Sequence, residues 1–198
     1  MEGHADMRPF EFIIIFFSFI YSLALTHLLL AAAEMVRHRR QLVLSWPHAL
    51  WMLALFATLA VNWLSFWDFH DRTVLSLPTI MGGFLLIAAQ YLTCALAAPD
   101  FDGERGYDLR AFHEQEGVGY IGGFLSIIVI SVVINFAGAK ELGVIRWGDE
   151  NSLVPLMSVP ALAALFLRRQ WIQIAAPLAE MALVAAFAIR FYPQLASA

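Results

Sequence analysis

The chain has 198 residues, 61% of them hydrophobic and only 14% charged, with a mean hydropathy of +0.71. A soluble domain carries about a quarter charged residues and under half apolar ones, so a water-soluble globule is excluded and a polytopic helical membrane protein remains. A net charge of −4 without a dense basic tract leaves no footprint for nucleic acid, and the single cysteine, Cys94, excludes an internal disulfide or a cysteine-rich metal site.

About 20 apolar residues cross a bilayer as a helix, and six stretches qualify or nearly qualify: Phe10–Ala33, Pro47–Trp67, Leu77–Ala98, Val118–Gly138, Leu153–Leu167 and Trp171–Tyr192. The first is too long for the apolar core of a removable signal peptide. Unbroken apolar runs without alternation predict helices rather than barrel strands, hence an all-α integral membrane protein forming a six-transmembrane-helix bundle in a single domain, 1–198.

The connections carry the charge. VRHRRQ follows the first helix, Asp68 to Ser76 the second, and residues 99–117 the third, with room for a short helix at the interface. Lys140 to Ser152 follows the fourth helix, and only Arg168, Arg169 and Gln170 join the last two, which must form a tight antiparallel hairpin. With both termini outside, seven arginines (37, 39, 40, 105, 110, 168, 169) lie inside against Arg8, Arg72, Lys140, Arg146 and Arg190 outside, the orientation that the positive-inside rule favours. Trp46, Trp67, Trp147 and Trp171 fall near helix ends, where an indole prefers the headgroup region. Trp51 and Trp63 lie deeper and read as packing residues. IMGGFLLI (80–87) and YIGGFLSI (120–127) share a Gly-Gly pair, which in membrane helices is a close-packing device.

Polar residues within the apolar runs are the candidates for function. Ile174 to Ile189 reads IAAPLAEMALVAAFAI, with one ionisable group, Glu180. An ionised side chain at the bilayer centre costs about 2.5–3.5 kcal/mol on insertion scales. Glu180 can lower that cost by taking a proton, by pairing or by facing water, and an intramembrane carboxyl is a functional-site candidate for that reason. At about 1.5 Å per residue, Glu180 lies within about 3 Å of the midplane, with Gln90 and His27 about 4 Å and 7–8 Å toward the cytoplasmic side. By depth alone these three compose a proton relay. In the second helix His48, Trp51, Leu55, Thr58, Asn62 and Ser65 advance by three or four residues along one face, a stripe that either lines a hydrated path through Thr58 and Asn62 or bonds helices together. Pro155, Pro160 and Pro177 break or kink the last hairpin, and proline-interrupted segments mark binding sites in transporters.

No cofactor is expected, although His27 and His48 would be the axial ligands if haem were held between helices. Asp68, His70 and Asp71 in DFHD offer metal ligands at the outer face, while FHEQE, with His113, Glu114 and Glu116, reads as a solvated acidic loop. No catalytic motif is present among those with a known mechanism.

SLALTHLLLAAAEMVRHRR, then WPHALWMLALF and NWLSFWD, covering roughly the first third of the chain, resembles small bacterial multispanning inner-membrane proteins. The resemblance implies a bacterial inner membrane and no particular activity. The expected function is a small ion- or proton-conducting channel or transporter, homo-oligomeric because six short helices enclose little interior. The alternative is a non-catalytic membrane subunit or scaffold whose loops contact a protein partner, and the third option is a haem-bearing redox protein. The bilayer is the expected environment in all three.

Overall fold

A computed structural model describes residues 9–70, 75–101, 108–141 and 153–192. The helices are α1 (Pro9–Arg37), α2 (Trp46–Ser65), α3 (Leu77–Ala97), α4 (Leu109–Glu141), α5 (Leu153–Leu156), α6 (Ser158–Phe166) and α7 (Gln170–Phe191). A 3-10 turn, Phe66–Phe69, follows α2. Five of the helices are long and apolar enough to cross a membrane, which makes the chain a multi-pass helical bundle. The fifth expected segment is the exception. It is a short pair, α5 and α6, broken at Met157 between two prolines, Pro155 and Pro160.

Local chemistry sets the helix starts. Ser45 and Ser76 cap α2 and α3, each with proline in the first turn, where the missing N–H costs nothing. Asp108 caps α4, its Oδ1 accepting the amides of Arg110 at 2.9 Å and Ala111 at 3.1 Å. Helix α4 therefore begins nine residues before the expected Val118. The stretch read as loop or separate interfacial helix is continuous with the span, because LRAFHEQE is composed largely of strong helix formers.

Helix α2 is the hub, touching α1, α3, α4 and α7, while α7 packs on α2 and α6, and α3 packs on α4, α1 and α2. The glycine pairs allow the close approaches. A Cβ on Gly83 would stand 2.9 Å from the Phe17 ring and one on Gly123 would stand 2.5 Å from Thr93 Oγ1. The lipid-facing surface carries Phe12, Phe19, Leu30, Phe166 and Ile189, all well exposed. The interior carries Trp51, Phe124 and Ile127 together with His48, Thr58, Gln90, Thr93, Gln173 and Glu180. Apolar outside and polar within is the distribution that a hydrocarbon solvent selects. Trp63, expected to pack internally, is 48% exposed.

One end of the bundle is tied by its loops. Leu109 N–H donates to Val43 O at 3.1 Å, joining the α1–α2 and α3–α4 connections. Arg168 donates to the Glu114 carbonyl at 3.4 Å, joining the α6–α7 turn to α4. Arg37, Arg39, Arg40, Arg110, Arg168 and Arg169 all lie at this basic end.

Candidate functional site

Glu180 is the eleventh of the 22 residues of α7, so it stands at the centre of its span. Its side chain is completely buried within the protein. Residues Gln173, Ala176, Pro177, Glu180 and Val184 form the inward face of α7, at the three- and four-residue intervals of a helix stripe. The carboxyl faces the backbone of Ala161 on α6, yet neither of its oxygens has a hydrogen-bond partner among the described residues. The polar group that meets Glu180 therefore belongs to the broken segment. Pro177 has no N–H, which leaves the Gln173 carbonyl, four residues earlier, without its helical donor.

Other buried polar atoms share that condition. The Thr58 hydroxyl, the Trp51 indole N–H, both ends of the Gln90 carboxamide and the Tyr21 hydroxyl lack a hydrogen-bond partner among the described residues. Tyr21 on α1 faces Gln90 on α3 without closing a bond of normal geometry. Native interiors leave few polar atoms in this state.

The three residues expected to form one layer are distributed around the hub. Glu180 lies on α7, which packs on α2 and α6, whereas Gln90 and His27 belong to the α3 and α1 side. His27 is half-buried, its Nε2 3.4 Å from the Tyr91 hydroxyl and its ring edge-on to that of Tyr91. The expected stripe of α2 does turn inward. His48, Trp51, Leu55 and Thr58 are buried, while Asn62 and Ser65 are half-buried toward the far end.

The two histidines considered as haem ligands point to separate partners on α3. His48 Nε2 donates to the Ala97 carbonyl at 2.9 Å, leaving Nδ1 as a buried acceptor. His70 donates Nδ1–H to the Trp67 carbonyl at 2.6 Å and stacks on that indole. Asp71 and the side chain of Asp68 lie outside the described residues. Among the described residues, no three His, Cys, Asp or Glu side chains gather as metal ligands.

A second polar assembly lies at the basic end. Gln173 donates through Nε2 to the Ala164 carbonyl at 2.7 Å and the Leu167 carbonyl at 3.3 Å. Its Oε1 must then accept, and His113 Nε2–H donates to it at 3.1 Å. With that proton on Nε2, His113 Nδ1 accepts from the Tyr120 hydroxyl, one helical face along α4. Every member of this chain thus has a fixed direction, and it joins α4 to α6 and α7. The residues expected to lie in a solvated acidic loop include the histidine at its centre.

Beside this chain a cavity of about 330 Å³ opens at the basic end. Arg110, Glu114, Arg168 and Trp46 stand around it, with His113 and Gln173 in its wall. Comparison with protein-family models, curated proteins and solved structures finds no match.

Proposed function

We propose that the protein moves protons across a bacterial inner membrane, as a small channel or transporter in which Glu180 takes and releases the proton. The observation that carries this reading is the central, fully buried carboxyl with both oxygens unpartnered against a broken helix. Burying an ionised carboxyl costs far more than burying a protonated one, so a Glu180 that changes protonation needs an environment able to answer the change. Proline breaks in both helices of the hairpin supply freed backbone groups and freedom to bend.

The unpartnered Thr58 hydroxyl and half-buried Asn62 on α2 belong to the route toward the end away from the arginines. Toward the basic end, the freed Gln173 carbonyl lies two turns, about 10 Å, from Glu180 along α7. The basic end faces the cytoplasm in this reading, with both termini outside. Gln90 and His27 serve the α1–α3 side of the hub rather than a direct relay with Glu180.

The test is proton uptake into liposomes that hold the purified protein and a trapped pH dye. Wild type is expected to conduct, Glu180→Asp to conduct more slowly, and Glu180→Gln to match empty liposomes. A folded Glu180→Gln protein that conducts like wild type removes the carboxyl from the pathway and the proposal with it.

A further inference from the structure

The wall of the cavity at the basic end has a chemistry beyond proton transfer at Glu180. Arg110, in the first turn of α4, makes no side-chain hydrogen bond or ion pair among the described residues. Arg168, in the α6–α7 turn, uses one nitrogen on the Glu114 carbonyl and leaves the rest of its fork free. Both guanidinium groups are exposed and both line the cavity. Two arginines and one carboxylate, Glu114, leave a balance of one positive charge at the mouth. The wall also has an apolar part, Val118, Ile121, Leu165 and Ile174. Trp46, 64% exposed, stands at the rim, as an indole does at headgroup depth.

The segments that carry the two arginines are joined by the Tyr120–His113–Gln173 chain. That chain clamps α4 to the ends of α6 and α7, and so holds the turn that bears Arg168 against the turn that bears Arg110. Two planar guanidinium forks lining one cavity suit an anionic oxygen cluster, and basic pockets between transmembrane helices at the cytoplasmic side take anionic headgroups. The single positive balance matches a phosphodiester, and the apolar part of the wall matches the start of an acyl chain.

We infer that this cavity is a binding site for one phospholipid, holding the phosphodiester of an anionic headgroup between Arg110 and Arg168 and the first part of its acyl chain against Val118, Ile121, Leu165 and Ile174. The occupant is a lipid of the surrounding leaflet. Inorganic phosphate offers the same oxygens without the chain.

The experiment is native mass spectrometry of the detergent-purified protein titrated separately with dioctanoyl phosphatidylglycerol, dioctanoyl phosphatidylcholine and inorganic phosphate. The expected result is saturable binding of one phosphatidylglycerol per chain, at least tenfold tighter than phosphatidylcholine, with phosphate weaker still. The double variant Arg110→Gln with Arg168→Gln is expected to lose at least tenfold in phosphatidylglycerol affinity at an unchanged unfolding midpoint. Arg39→Gln with Arg40→Gln, which removes two charges from the same end outside the cavity, stays within twofold of wild type. Equal losses in the two double variants reduce the effect to general surface charge and overturn the site, as does binding that never saturates. Phosphate binding as tightly as the lipid overturns the role of the apolar wall.

Discussion

Adding one methyl group at Gly123 tests the tightest glycine position among the described residues. Helices α3 and α4 form its most extensive pair, and a Cβ at Gly123 would lie 2.5 Å from Thr93 Oγ1, 3.0 Å from its Cγ2 and 3.2 Å from its Cβ. Ordinary contact begins near 3.4 Å, so the shortfall at the hydroxyl is 3.4 − 2.5 = 0.9 Å. Thr93 cannot turn aside freely. It is β-branched, with a restricted χ1, and its hydroxyl donates to the Ala89 carbonyl at 2.7 Å. Either that bond is given up or the helices part, and overpacking of this kind costs about 1–3 kcal/mol. The gain in helix propensity from glycine to alanine, about 1 kcal/mol, offsets part of it. Gly122 provides the control, since a Cβ there meets nothing within 4 Å. Reversible unfolding in mixed detergent micelles is expected to place Gly123→Ala about 1–3 kcal/mol below Gly122→Ala. Thr93→Ala removes Oγ1 and Cγ2, and combined with Gly123→Ala it should recover most of the difference. Equal stability of the two glycine variants, or no recovery by Thr93→Ala, refutes the contact and the α3–α4 register built on it.

Gln173→Leu removes the acceptor of His113 and the donor to the Ala164 and Leu167 carbonyls. Leaving such buried groups unmatched costs about 1–3 kcal/mol each, and a thermal unfolding midpoint equal to wild type would show that the chain of bonds is idle. Glu180→Leu replaces two unpartnered oxygens by apolar atoms of similar volume, a change that is neutral or stabilising by about 0–2 kcal/mol. A measured loss above about 1 kcal/mol would mean that the carboxyl has a structural partner.

Most of the bundle was legible because apolar runs of bilayer length have few other solutions. What failed was the assumption that charge ends a helix. Helix α1 continues past Ala33 through Glu34 to Arg37, where Glu34 pairs with both Arg37 and His38, and α4 starts within LRAFHEQE. In both cases the helix extends beyond the expected apolar limit, with charged side chains on the last turn of α1 and on the first turns of α4. Glu180 was legible for the opposite reason, as one ionisable group among fifteen apolar or small residues. The expected layer with Gln90 and His27 relied on depth, and depth does not state which helices are neighbours. The Tyr120–His113–Gln173 chain gave little warning, since His113 and Gln173 are 60 residues apart. The available signal was local: Tyr120 lies seven residues after His113, on the same helical face.

The most direct test of the central claim is the voltage at which proton movement stops. Liposomes holding the protein are set with a pH gradient, and valinomycin with graded potassium fixes the membrane potential. If Glu180 carries protons, dye-reported flux vanishes where the potential balances the gradient, about 59 mV per pH unit for one charge, and Glu180→Gln shows no flux on either side of that point. Wild-type flux that is no different from empty liposomes at every voltage, or that is unchanged in Glu180→Gln, contradicts the account.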